Sequence, residues 1–245
     1  ECLSGMPFEV EFISFDDVKN GIPEDIKVII NVGDAYTAFS GAENWIDEAV
    51  VTSIRRFVDQ GGGFIGVGEP TAYQYQGRFF QLSDVLGVDR EMCFSLNTDK
   101  YNELDANHFI LEDIDGEVDF GEGTSRVYAQ GKNYQVLAMD GEYSQLVVNE
   151  YGKGHSVYFA GLPYSPQNCR ILLRAIYYAA GMENEMKRYY VTNVDTEVTV
   201  FQKSKKIAVI NNSSEAQYTE VYINGNCVYK LDMEPGEMRW VDDVE

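Results

Sequence analysis

Residues 45–71, WIDEAVVTSIRRFVDQGGGFIGVGEPT, constrain the fold of this chain more than any other stretch. Apolar residues at Ile46, Ala49, Val50, Ile54, Phe57 and Val58 fall at helical spacing, and Gly61-Gly62-Gly63 ends the pattern. The apolar run Phe64-Ile65-Gly66-Val67 follows at once. A helical period that gives way to a short apolar run predicts a helix feeding a strand covered on both faces, as in a parallel sheet. Gly68-Glu69-Pro70-Thr71 then falls just past the strand's carboxyl end, where open α/β sheets present ligands and catalysts. Nucleophile-elbow enzymes place a serine or cysteine on such a turn. Here the apex is Gly68-Glu69, with neither hydroxyl nor thiol.

The flanking segments extend the pattern. Residues 8–15 read as a strand, residues 26–32 (IKVIINV) as a strand buried on both faces, and a helix from about Glu43 returns the chain to residues 64–67. Strand, crossover, strand, helix, strand predicts an α/β domain over residues 1–183, with a mostly parallel, flavodoxin-like sheet and helices on both faces. Short strands at 126–130, 136–139, 145–151 and 155–161 predict an antiparallel extension at the sheet's edge. Ser165 and Pro166 read as N-cap and first position of a last helix that Gly181 stops. Residues 182–186 read as a linker. Residues 187–245 hold six alternating segments separated by turns such as Asn224-Gly225-Asn226, which predicts a small all-β sandwich or barrel domain.

Composition narrows the function. A net charge of −21 speaks against nucleic-acid binding and against docking on anionic membranes, and no apolar run is long enough to span a bilayer. Cys2, Cys93, Cys169 and Cys227 stand singly, which predicts reduced thiols in a cytoplasmic protein rather than a disulfide framework or a zinc site. His108 and His155 are the only histidines and lack a metal-ligand spacing, so a structural role is expected and no metal. The glycines at 61–63 precede a strand and no Gly-Lys-Ser/Thr follows, which excludes a phosphate loop. Acidic residues from Asp105 to Glu122 read as solvated loops. The aromatic cluster at residues 73–80 suits sugar stacking or an interdomain contact as well as it suits a loop folded on its own sheet.

The segments SGMPFEVEFISFDD, GDAYTAFSGAENW, GVGEPTAYQYQGRFFQLSDVLGVDRE, EYGKGHSVYFAGLPYS and NNSSEAQYTEVYINGN resemble the middle and C-terminal domains of the 1,3-β-galactosyl-N-acetylhexosamine phosphorylases, over essentially the whole chain. The resemblance implies a glutamine-amidotransferase-like α/β domain without its ancestor's catalytic residues. It also implies an upstream TIM-barrel catalytic domain, a homodimer, and reversible, inverting phosphorolysis of galactosyl-β-1,3-N-acetylhexosamine. Inorganic phosphate is then a substrate and no cofactor is needed. No catalytic residue is assigned to this chain. An active hydrolase or amidotransferase using an unrecognised cysteine, Cys93 foremost, is the competing expectation, and a sugar-binding role for Tyr222 and Trp240 a weaker one. The surface expected to meet substrate or the neighbouring domain is the strand-end edge: Asp34, Tyr36, Glu69, Thr71, Tyr73, Tyr75 and Arg78.

Overall fold

A computed structural model describes residues 2–3, 6–92 and 103–243. The first elements are helix α1 (Phe15–Asn20), strand β1 (Val28–Gly33), helix α2 (Glu48–Asp59) and strand β2 (Gly63–Gly68). Ser14 and Asp17 form a capping box that starts α1, and the Asp47 carboxylate caps α2 by accepting the Ala49 N–H. Val50, Ile54 and Val58 are the buried stripe of α2, as their spacing requires.

After β2 come strands β3 (Ala72–Tyr75) and β4 (Arg78–Phe80), helix α3 (Ser83–Leu86), and strands β5 (Val88–Arg90), β6 (Val127–Ala129), β7 (Tyr134–Asp140), β8 (Tyr143–Tyr151) and β9 (Gly154–Phe159). The main sheet runs β1-β2-β9-β8-β7. β1 with β2 and β2 with β9 are parallel, whereas β9 with β8 and β8 with β7 are antiparallel. The sheet is therefore mixed, with parallel pairing confined to three strands. Helix α4 (Pro166–Ala179) packs over one face with Ile65, Val157 and Phe159, and α2 covers the other with Phe64 and Tyr158. Ser165 accepts the Asn168 N–H and Pro166 opens α4, as the sequence predicts.

Three segments differ from expectation. Residues 8–14 form no strand and lead irregularly into α1; their alternating apolar residues have no paired backbone beside them. The cluster at 73–80 is not an open loop but the β3–β4 hairpin, turned by Gln76-Gly77, both at positive φ. The expected linker at 182–186 is taken up by helix α5 (Glu183–Arg188), held by the buried Met186.

The remaining strands are β10 (Tyr189–Val191), β11 (Thr196–Phe201), β12 (Lys206–Asn211), β13 (Gln217–Ile223), β14 (Asn226–Met233) and β15 (Met238–Asp242). They form two antiparallel sheets, β10-β13-β14 and β11-β12-β15, around Val191, Ile207, Val209, Val221, Ile223, Leu231 and Met233. A charged seam joins this β unit to the α/β unit. Arg170 of α4 donates to Asp113 at 2.9 Å and to the carbonyls of Val191, Asn193 and Thr196 at 3.0, 3.1 and 3.3 Å. Arg174, one turn on, donates to the other Asp113 oxygen at 2.5 Å.

Candidate functional site

The carboxyl ends of β1 and β2 lie side by side, in the register Gly33 opposite Gly68. Gly68 turns the chain at φ 78, and an added Cβ there would come 3.3 Å from the Gly33 carbonyl oxygen. Gly66 is needed one step earlier, because a Cβ on it would meet Pro70 Cγ at 2.5 Å. The elbow thus folds back on its own strand.

Glu69 sits at the apex, with its N–H and both carboxylate oxygens engaged. Its N–H donates to the Gly33 carbonyl at 3.0 Å, its Oε2 accepts the Ala35 N–H at 2.8 Å, and its Oε1 pairs with Arg90 Nη1. The Arg90 guanidinium also lies 5.0 Å over the Phe79 ring. Behind the turn, the Tyr158 hydroxyl donates to the Gly68 carbonyl at 3.2 Å, and burial pushes that phenol far above its ordinary pKa. With one oxygen held by an arginine and the other by a backbone N–H, this carboxylate serves as a strut of the turn.

Thr71, at φ 57, is fully buried. Its N–H donates to Asn31 Oδ1 at 2.9 Å, while its Oγ1 accepts the Leu82 N–H at 3.3 Å. Thr71 therefore locks the elbow to β1 and the β4–α3 junction and is not a surface group. Asn31 in turn donates to the Ser40 carbonyl at 3.2 Å, tying down the loop after β1. That loop carries Asp34, exposed, whose carbonyl accepts the hydroxyls of Thr37 and Ser40 at 2.7 and 2.6 Å.

The remaining predicted residues form a surface. Tyr36, at φ 62, meets Tyr73 edge to face at 5.5 Å, and its hydroxyl accepts the Gln74 N–H at 3.4 Å. Gln81 Nε2 holds the hairpin from beneath by donating to the Tyr73 and Tyr75 carbonyls at 2.7 and 3.2 Å. Tyr36 and Tyr75 remain 53% and 43% exposed, which leaves ring surface for a partner. Arg78 reaches Asp84 only at 3.9 Å. Six of the seven predicted residues thus share one edge at or near the surface, and Thr71 lies under it.

Arg90 and Asp89 are the neighbours of the elbow that sequence reasoning missed. Asp89 Oδ1 accepts the N–H groups of Phe79, Phe80 and Arg90 at 3.2, 2.9 and 2.8 Å, and burial raises its pKa above the ordinary carboxylate value despite those bonds. Neither follows a motif, and only the β4–α3–β5 excursion brings them to the elbow.

The two histidines pack as structural groups. His108 Nδ1 accepts the Ile110 N–H at 3.2 Å, and burial lowers its pKa; both His108 and His155 pack on Tyr178, at 4.7 and 4.8 Å. No group of three or more metal-ligating side chains occurs among the described residues. Cys169 is pushed up to about 12 by burial and the adjoining Cys2 thiol, which leaves it unreactive at neutral pH. Cys93 lies outside the described residues. Tyr222 gives one ring face to Tyr190 at 4.7 Å, while Trp240 is half exposed against Phe201. No described helix is long and apolar enough to cross a membrane.

The fold of a mixed α/β unit followed by a β unit also occurs elsewhere. A cold-adapted beta-galactosidase from Rahnella sp. R3 carries a similar fold at TM-score 0.55 and 18% identity, over 98% of this chain and 35% of that one. The chain belongs to the lacto-N-biose phosphorylase family: the model of that family's central domain matches residues 1–184, and that of its C-terminal domain residues 189–241. A 1,3-beta-galactosyl-N-acetylhexosamine phosphorylase of Lachnoclostridium phytofermentans is 48% identical over 100% of this chain and 34% of its own length. Its namesake in Bifidobacterium longum subsp. longum is 38% identical, over 98% and 36%. A D-galactosyl-beta-1->4-L-rhamnose phosphorylase of L. phytofermentans is 33% identical, over 94% and 31%. The chain spans about a third of the length of these relatives.

Proposed function

We propose that this chain is the non-catalytic central and C-terminal portion of a phosphorylase. In that reading the whole protein cleaves galactosyl-β-1,3-N-acetylhexosamine with inorganic phosphate, releasing galactose 1-phosphate and the free amino sugar. The observation that carries the non-catalytic reading is the elbow itself: Glu69 is consumed by Arg90 and the Ala35 N–H. Relatives named for different galactosides share this segment at 48% and 33% identity, which supports placing chemistry and acceptor choice in the part of the protein beyond it.

We read the α/β unit as glutamine-amidotransferase-like in origin, with Glu69 standing where such a domain would hold its nucleophile. The edge formed by Asp34, Tyr36, Tyr73, Tyr75 and Arg78 faces the upstream barrel as a wall of its active site or as a subunit contact in a cytoplasmic homodimer. Exposed tyrosines and an arginine are the residue types that interfaces favour. Tyr75→Ala in the full-length phosphorylase tests this. A raised KM or altered assembly with kcat nearly intact is expected. Wild-type kinetics and assembly would remove the wall from the account, and a collapse of kcat by orders of magnitude would make the edge part of the chemistry.

A further inference from the structure

The α3–β5 turn packs against β8 beside a polar groove. Asn149 of β8 holds the turn in place, since its Nδ2 donates to the Val85 and Asp84 carbonyls at 2.8 and 3.3 Å. Gly87 permits the close approach, because a Cβ there would meet Asn149 Cβ at 2.7 Å. Asp89 fixes the next step of the chain, with all three of its backbone bonds on Oδ1. The groove left between these elements encloses about 550 Å³ and is walled by the 130–133 loop, Tyr128 and Tyr151. That volume falls in the range of small-molecule sites, about 300–1,000 Å³.

Three buried side chains of the groove each keep one atom unpaired. Asp89, Asn149 and Ser83 are only 5%, 4% and 2% exposed. Asp89 Oδ2, Asn149 Oδ1 and the Ser83 hydroxyl have no hydrogen-bond partner among the described residues. An oxygen sealed inside a fold without a partner costs stability. Among the described residues the one side-chain atom so sealed is Asn168 Oδ1. The three atoms therefore open onto the groove, the surface their residues share. The Asn149 amide cannot turn its nitrogen outward without losing both carbonyls, so an acceptor faces out there as at Asp89.

The rim supplies donors. Arg78 reaches Asp84 only at 3.9 Å, and Asp84 is already bound by Arg55 at 2.8 Å. Lys132 is exposed and forms no ion pair among the described residues. An anion here would meet acceptor oxygens and Glu150, and a cation would sit beside Arg78 and Lys132. A neutral ligand rich in hydroxyls satisfies both layers, because each hydroxyl can donate to an acceptor and accept from a donor. The rings of Tyr128 and Tyr151 add flat surface of the kind that suits the apolar face of a sugar. We propose that this groove binds a neutral carbohydrate of mono- or disaccharide size, whose hydroxyls donate to Asp89 Oδ2 and Asn149 Oδ1 and accept from Arg78 and Lys132. The groove borders the tyrosine edge through Arg78, but the inference concerns binding alone and does not rest on that edge forming an active-site wall.

The test is fluorine NMR of the full-length protein carrying Tyr151→3-fluorotyrosine, titrated with the methyl β-glycosides of galactose, glucose and N-acetylglucosamine. A saturable shift of the fluorine signal with at least one of them is expected. Asp89→Asn keeps the oxygen that serves the backbone and turns Oδ2 into a donor, so it should weaken that binding about tenfold or more. Lys132→Ala, at an exposed position, leaves the fold alone and should weaken it roughly threefold. It decides the matter by itself if Asp89→Asn fails to fold. No shift with any glycoside would overturn the proposal, as would a shift produced only by ethylammonium or by inorganic phosphate. Glycoside affinity unchanged in the folded variants would overturn it equally. Failure of the wall reading would appear in the kinetics of Tyr75→Ala and leave these titrations untouched.

Discussion

The strand-end elbow and the α4 seam both hold charged pairs against backbone, yet they are built to different depths. At the seam the Arg170 and Arg174 side chains are 5% and 8% exposed, whereas at the elbow Glu69 and Arg90 are 16% and 30% exposed. At the seam one guanidinium donates to three carbonyls, of Val191, Asn193 and Thr196, where β10 passes to β11. At the elbow one carboxylate gathers a single N–H and one arginine, and Tyr36 and Tyr75 along the same edge stay about half exposed. In both places buried charge marks backbone that needs partners. A perturbed or buried ionisable group is therefore poor evidence of chemistry in this molecule.

The sharpest way to break this comparison is Arg170→Ala. It removes the donor to one Asp113 oxygen and to the carbonyls of Val191, Asn193 and Thr196 together, although Asn193 keeps its bonds from the Thr196 N–H and hydroxyl. Removal of one partner from a buried pair costs about 3–5 kcal/mol, and urea unfolding should show a loss of that order. Arg170→Lys should recover only part of it, because an ammonium lacks the planar fork. A loss below about 1 kcal/mol, the range of surface pairs, would show that the seam is no more than an exposed ion pair.

Gly66→Ala probes the elbow from below. The added methyl would sit 2.5 Å from Pro70 Cγ and 3.1 Å from Leu86 Cδ2, so the turn must lift. Overpacking of this kind costs roughly 1–3 kcal/mol, read as a fall in Tm. Glu69→Gln should cost less, roughly 1–2 kcal/mol, since the pair it breaks is partly solvated. If the comparison holds, that variant of the full-length enzyme keeps kcat within about tenfold, a barrier change of about 1.4 kcal/mol. A loss of kcat far beyond that, in a folded protein, would make the elbow catalytic after all.

The sequence is legible where structure is local. The helix and strand over residues 48–68 are legible because cap, helical period and following strand are neighbours, although Ile46 and Ala49 turn out exposed and the helix begins at Glu48, not near Glu43. Ser165-Pro166 announces α4 for the same reason. Asn224-Gly225 likewise turns β13 into β14 with both residues at positive φ. Illegible were features that depend on distant partners. Residues 8–14 alternate as a strand does, but alternation forms a strand only when an edge pairs with it. Nothing near residue 69 in sequence names Arg90, and nothing at residues 182–186 announces that α5 will bury Met186. The site was legible as a place, the two strand ends, because topology dictates it. Which of its residues are surface and which are struts was not, as Thr71 shows.

The smallest effect expected is the most discriminating for the idea that charge here serves backbone. Asp89 is buried, and all three N–H groups it accepts go to the same oxygen, Oδ1. An asparagine offers one carbonyl oxygen in that position and carries no charge to desolvate. Because burial raises the folded-state pKa, the folded protein holds this proton to a higher pH than the unfolded chain, whose aspartates titrate near about 3.9. Asp89 thus contributes its full stability below the unfolded value and loses some as pH rises through the folded one. Asp89→Asn removes that loss. At neutral pH the variant should match or exceed the parent's stability to within about 1 kcal/mol, one net hydrogen bond. Its advantage should shrink as pH falls through the aspartate range. Asp89→Leu, which orphans the three N–H groups, should be clearly less stable at every pH. Equal destabilisation by asparagine and leucine at neutral pH would mean that the negative charge itself holds the β4–β5 turn, and the common reading of elbow and seam would then fail at its most buried carboxylate.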